Sequence, residues 1–92
     1  ATAIKTISAN YALTETDYTI LVDASVGAIT VTLPDATTCA GRIYVIKKKD
    51  SSANTVTISS PNQTIDGLNS QSLTSQYQTI RVQSDGTNWW TI

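Results

Sequence analysis

Read for the spacing of its apolar residues, the chain is a succession of short strands. Ile29, Val31 and Leu33 alternate with Thr30 and Thr32, the period of a strand with one face in a core and the other in a polar setting. Pro34 stops that strand. Asp35–Ala40 leaves room for one helical turn or a broad loop, and Gly41 offers a permissive backbone for a change of direction. In the following Arg42-Ile43-Tyr44-Val45-Ile46-Lys47 the apolar residues occupy both parities, so both faces are expected to meet apolar surroundings, as in a central strand.

The same reading extends along the rest of the chain. Ile4 and Ile7 anchor a first strand or an N-terminal arm within residues 1–10. Thr14-Glu15-Thr16-Asp17 is a turn cluster, and Tyr18, Ile20 and Val22 alternate with Thr19, Leu21 and Asp23. Ser25-Val26-Gly27 is expected to fold that strand back on Ile29–Leu33 as a hairpin, and Asp50–Asn54 to join Lys47 to the alternating Val56-Thr57-Ile58 in a second one. Gln63-Thr64-Ile65 is a short strand ended by Asp66-Gly67, after which Leu68 and Leu73 fold inward from a polar span. Asp85-Gly86 signals a two-residue type I′ turn. With Ser84 facing Thr87, Val82 lies opposite Trp89 and Arg81 opposite Trp90. Neighbouring strand residues point to opposite faces, so Trp89 enters the core and Trp90 does not. Arg81 then stands where a cation–π contact with Trp90 is expected, worth about 0.5 to 1 kcal/mol. The predicted fold is all-β, a small antiparallel sandwich in one domain over 1–92, with Ile29, Val31, Leu33, Ile43, Val45, Ile80, Val82 and Trp89 as its core.

Composition narrows the function. A chain of 92 residues buries roughly 60 to 65% of its unfolded surface, so its core is small. Charged residues are 14%, against about 25% in ordinary globular domains. The surface is therefore mostly Thr, Ser, Asn and Gln, which suits an extracellular or virion location or an oligomer. A net charge of −1 gives no long-range reason to bind nucleic acid or an anionic membrane. Lys47-Lys48-Lys49 reads as a solvated strand end, and no stretch is long enough to span a bilayer. The single Cys39 excludes an intrachain disulfide and reads as a partly buried loop residue. A start at Ala1 is what a processed chain or a fragment would show.

Catalysis has little to work with. Without His, the usual nucleophile–base pairs lack their base. The acids Glu15, Asp17, Asp23, Asp35, Asp50, Asp66 and Asp85 nearly all adjoin turn-forming residues, which accounts for them without glycoside hydrolysis. No Asp-x-Asp-x-Asp-Gly run sets out a calcium loop, and no cofactor or metal is expected.

Taken in order, Asp17-Tyr18-Thr19-Ile20-Leu21-Val22-Asp23-Ala24, Ile29–Ala36, Gly41-Arg42-Ile43-Tyr44-Val45-Ile46-Lys47-Lys48, Asn54–Ile58, Thr64-Ile65-Asp66-Gly67 and Ser84-Asp85-Gly86-Thr87-Asn88-Trp89 resemble a module found near the C-terminus of bacteriophage tail fibres, tailspikes and related appendage proteins. The resemblance runs from about Tyr11 to Ile92. It implies a jelly-roll-like β-sandwich, non-catalytic, assembled as a homotrimer about a fibre axis and serving as tip, trimerisation element or receptor-binding head. The chain would then be the C-terminal piece of a longer fibre protein, with a host-surface polysaccharide or protein as its partner. Trp90, Ile92, Tyr44 and Ile46 are the candidate subunit-interface residues. Trp90, Tyr44, Tyr77 and Arg81 are the candidate ligand contacts. The competing reading is a monomeric carbohydrate-binding module that stacks sugars on Trp90, Tyr44 and Tyr77. The two differ in whether Trp90 is covered by protein or open to a ligand.

Overall fold

The structure, a computed structural model, describes all residues 1–92. Nine strands and a single 3-10 turn at Ala36–Thr38 follow one another along the chain. The strands are β1 (Ile4–Ile7), β2 (Tyr11–Ala12), β3 (Thr19–Val22), β4 (Ile29–Thr32), β5 (Ile43–Lys48), β6 (Val56–Ser59), β7 (Ser70–Leu73), β8 (Thr79–Ser84) and β9 (Trp89–Thr91). They form a five-stranded sheet ordered β1-β3-β5-β8-β9 and a four-stranded sheet ordered β2-β4-β6-β7. The protein is all-β in two layers, and β5 is the central strand of the larger sheet.

The sheets are mixed, which corrects the antiparallel, jelly-roll expectation. From β1 to β6 the chain changes sheet at every step, and each strand lies parallel to the one before it in its own sheet. This is a flattened coil, and only β7, β8 and β9 add antiparallel pairs to it. The two expected hairpins are accordingly arches: β3 and β4 face each other across the core, as do β5 and β6. The physical reason lies in the arches' hydrogen bonds. The Ala24 N–H donates to Asp50 Oδ1 at 2.7 Å, and Asn54 Nδ2 and Ser52 Oγ donate to the Ala24 carbonyl at 2.8 and 3.2 Å. The polar residues of the second arch therefore satisfy the backbone of the first, where a hairpin would have turned them on themselves.

The first strand is an edge, and a polar chain closes the coil beside it. Lys5 occupies the same row as the buried Ile20, Ile46 and Ile80. Its Nζ reaches across to the Tyr11 hydroxyl at 3.3 Å and stands 4.7 Å over that ring, and Tyr11 in turn donates to Asp17 Oδ2 at 2.8 Å. A charge turned inward on an edge strand discourages addition of a further strand.

The core is one cluster of 18 buried residues. Ile29, Val31, Leu33, Ile80, Val82 and Trp89 belong to it as predicted, but Ile43 and Val45 do not. Tyr44, Ile46 and Lys48 take the inner face of β5 instead. Both parities of this strand are apolar, so partners decide between them. The Tyr44 ring lies 5.7 Å from that of Trp89 in a tilted pair, and Lys48 meets Asp50 at 2.7 Å. The expected solvated lysine run thus contains a fully buried member.

The two Asp-Gly turns exchange the roles that local sequence suggests. Asp66 and Gly67 both have positive φ, +51° and +86°, and Ile65 and Leu68 exchange backbone hydrogen bonds around them, so the two-residue type I′ turn lies here. Leu68, at its tip, is exposed, while Leu73 is buried. At Asp85-Gly86 the loop runs on to Asn88. The Asp85 carboxylate accepts the Thr87 and Asn88 N–H groups, and Ser84 pairs with Trp89, Gln83 with Trp90 and Val82 with Thr91. That register seats Trp89 where its Nε1 donates to the Pro34 carbonyl at 3.2 Å.

Candidate functional site

The outer faces of the two sheets differ in chemistry. Strand alternation puts Thr30, Thr32, Thr57, Ser59, Ser70 and Ser72 outward on the four-stranded sheet, in rows fixed by β-pairing, with Ala12 at its edge. The five-stranded sheet carries outward the rows Ile4, Thr19, Val45, Arg81; Thr6, Leu21, Lys47, Thr79; and Ile43, Gln83, Trp90. Ile92 joins the first row, its N–H donating to the Arg81 carbonyl at 2.9 Å. Ile4, Leu21, Ile43, Val45, Trp90 and Ile92 thus share one face with Lys47 and Arg81. Trp90 is 46% exposed and Ile92 52%.

The residues singled out from sequence do not all reach this face. Trp90, Ile92 and Arg81 do. Arg81 lies opposite Val45 and beside Ile92 rather than opposite Trp90, and the Trp90 indole instead donates Nε1–H to Asp85 Oδ2 at 2.8 Å. The cation–π contacts of the molecule are Lys5 over Tyr11 and Lys47 over Tyr77. Ile46 and Tyr44 lie wholly inside the subunit, so neither can form a subunit interface, and Tyr44 cannot present its ring to a sugar. Tyr77 is exposed, in a left-handed conformation with φ +67° just before β8, at the Lys47 end of the sheet. Trp90 lies at the Ile43 end, and the Ile43 and Lys47 rows are four residues apart, or roughly 13 Å at 3.3 Å per residue. Tyr44, Tyr77 and Trp90 therefore do not make one stacking platform.

A cavity of about 470 Å³ opens at the Arg42 end of β5, lined by Thr14, Glu15, Pro34, Thr38, Cys39, Arg42 and Tyr44. Three fixed segments form its walls. The Thr14–Asp17 turn is held by the Asp17 carboxylate, which accepts the Thr14 N–H at 2.9 Å and its hydroxyl at 3.1 Å. Tyr44 donates its hydroxyl to the Thr14 carbonyl at 2.9 Å, and burial pushes its phenol pKa up, keeping that donor protonated. The Ala36–Thr38 turn is capped by Asp35, whose side chain accepts the Thr37 N–H at 2.9 Å while its carbonyl accepts the Thr38 hydroxyl at 2.7 Å. Arg42 and Glu15 line this space without forming an ion pair, since the one salt bridge of the molecule is Lys48–Asp50. In the sequence Glu15 is one of several turn-associated acids and Arg42 the start of a strand. They are far apart along the chain, and no local pattern joins them.

The aspartates are occupied. Hydrogen bonds hold the carboxyls of Asp23, Asp35, Asp66 and Asp85 below the usual range: from Ser25, from Thr37, from Thr91, and from the Asn88 N–H together with Trp90, respectively. For Asp17 and Asp50 burial works against the charge, but hydrogen bonds outweigh it. Those to Asp17 come from Thr14 and Tyr11, and those to Asp50 from Lys48, Ser52 and the Ala24 N–H. No three His, Cys, Asp or Glu side chains gather as metal ligands.

No protein-family model, curated protein or solved structure matches this chain. The functional reading therefore rests on the chemistry of the outer sheet face and of the cavity.

Proposed function

We propose that this chain is a non-catalytic structural and attachment module of a phage tail fibre, tailspike or related appendage, displayed on the virion or outside the cell and assembled as a homotrimer. The observation that carries the reading is the outer face of the five-stranded sheet. A 92-residue chain with 14% charged residues turns Ile4, Leu21, Ile43, Val45, an exposed Trp90 and Ile92 outward on one regular sheet face, interleaved with Thr19, Lys47, Arg81 and Gln83, while its other sheet is faced with hydroxyls. Large apolar side chains gathered on one exposed face mark a protein contact, and identical subunits in closed symmetry are the commonest way to cover it. The occupant is a second and third copy of the same face. The ordered resemblance to fibre modules points the same way.

Sedimentation equilibrium over a wide dilution series tests this. The expected result is a trimer whose dissociation midpoint moves to about tenfold higher concentration or more in Trp90→Ala, at unchanged far-ultraviolet circular dichroism. Truncating a Trp that is an interface hot spot costs about 2 kcal/mol or more, about thirtyfold in a dissociation constant, so a shift of about tenfold is a conservative threshold. A monomeric parent at all concentrations overturns the assembly, and an unshifted midpoint in the variant removes Trp90 from the interface.

A further inference from the structure

The inner face of β5 is Tyr44, Ile46 and Lys48, and Arg42 immediately precedes the strand, so a cation stands at each end of the apolar pair. Lys48 is sealed inside with a carboxylate against it. Arg42 opens into the cavity of about 470 Å³, which it shares with Glu15, and the two charges are not paired to each other. That volume falls within the ~300–1,000 Å³ of small-molecule sites. The cavity offers complementary chemistries side by side. A guanidinium presents a fork of donors shaped for a carboxylate. The Glu15 carboxylate, which only accepts, calls for hydroxyl donors. Thr14 and Thr38, also in the lining, give their hydroxyl protons to Asp17 and to the Asp35 carbonyl. Pro34 supplies apolar surface and is held from behind by the Trp89 indole, which donates to its carbonyl. The turns that carry these side chains are held by hydrogen bonds of their own, which lowers the ordering cost of binding.

We propose that this cavity binds a carboxylate-bearing sugar residue of the uronic acid type, with Arg42 on the carboxylate, Glu15 on ring hydroxyls and Pro34 against the ring's apolar face. The assignment deepens the attachment half of the function proposed above and rests on it, naming the ligand class. It is independent of the outer sheet face, to whose rows none of Arg42, Glu15 and Pro34 belongs.

The test is a titration of the ¹⁵N-labelled protein with D-glucuronate, followed by amide chemical shifts, with D-glucose and acetate as partial ligands and sedimentation run in parallel. Saturable shifts at Glu15, Thr38, Cys39 and Arg42 are expected, with Kd in the millimolar range usual for one sugar residue, roughly −4 kcal/mol. Glucose, lacking the carboxylate, and acetate, lacking the ring, should each bind about tenfold more weakly or worse, the worth of a charge-assisted hydrogen bond. Arg42→Gln should bring glucuronate down to the level of glucose, and Glu15→Gln, at an exposed position, should weaken both sugars. Absence of saturable shifts, equal binding of acetate and glucuronate, or an unaltered Kd in both variants overturns the site. A trimer that does not bind refutes the site and leaves the assembly standing. Binding by a monomer refutes the assembly and leaves the site standing.

Discussion

Lys48, the last residue of β5, and Arg42, the residue just before its first, meet opposite fates. Lys48 is wholly buried, donating to Asp50 Oδ2 at 2.7 Å, to the Asp50 carbonyl at 3.3 Å and to Ser52 Oγ at 3.3 Å. The same carboxylate bonds the Ala24 N–H, so a single ion pair pins the two arches at that end of the coil together. Arg42 is half-buried, has no acidic partner and borders open space. The protein spends its one ion pair on architecture at one end and leaves a charge free at the other. An unpaired guanidinium at a cavity mouth remains partly hydrated and costs the fold little, whereas an unpaired ammonium in the core would not be tolerated.

The largest effect expected from this contrast is at Asp50. Asp50→Ala leaves Lys48 buried without its countercharge and deprives the Ala24 N–H of its acceptor, which should destabilise the fold by about 3 to 5 kcal/mol. Urea unfolding followed by fluorescence of the buried Trp89 reads this directly. A loss under about 1 kcal/mol would mean that water reaches Lys48 and that the two ends of β5 are alike.

Acid should produce a smaller, graded version of the same break. Asp50 is held below the 3.8 of a free aspartyl group, so the folded protein binds fewer protons there than the unfolded chain. Its stabilisation is complete above that value and is lost as pH falls below it. Asp17, which fixes the cavity wall, is shifted in the same direction and adds to the slope. The melting temperature is therefore expected to stay level from neutral pH to about 5 and then to fall steadily with acid. In Asp50→Ala the fall should be shallower. A parent whose melting temperature is flat down to pH 3 would contradict both shifts.

The same strand marks how far sequence carries. Its central place in the sheet is legible, because apolar residues at both parities leave neither face for water. Which face turns inward is not, because Ile43 and Val45 are as apolar as Tyr44 and Ile46. The choice is made by Trp89 and Asp50, residues outside the strand. The alternation in Thr19–Val22, Ile29–Thr32 and Val56–Ser59 marks strands correctly, yet an alternating strand looks the same beside a parallel or an antiparallel neighbour. Arches and hairpin loops draw on the same Asp, Ser, Asn and Gly, so Asp50–Asn54 gives no local sign that its side chains serve Ala24. Asp66-Gly67 and Asp85-Gly86 are identical dipeptides with different turns, the second governed by where Trp89 must sit. Trp90 could be placed outward because its neighbour Trp89 is inward. The cavity had no such pointer, since Glu15 and Arg42 meet only through the coil.

The smallest effect lies at the open end and completes the contrast. Arg42→Gln removes a charge that no carboxylate answers, and its aliphatic stem is replaced by one nearly as long. The backbone bonds that fix this corner, Arg42 N–H to the Cys39 carbonyl at 2.9 Å and Ser84 N–H to the Arg42 carbonyl at 3.0 Å, do not involve the side chain. Urea unfolding of the variant should lie within about 0.5 kcal/mol of the parent, as for surface substitutions away from structural features. Its acid limb should coincide with the parent's, because the Lys48–Asp50 pair at the far end is untouched. A loss above about 2 kcal/mol would assign Arg42 a structural duty and make the cavity part of the scaffold. A near-zero change leaves the guanidinium without a role in folding, the condition under which a cation at a cavity mouth is available to a ligand.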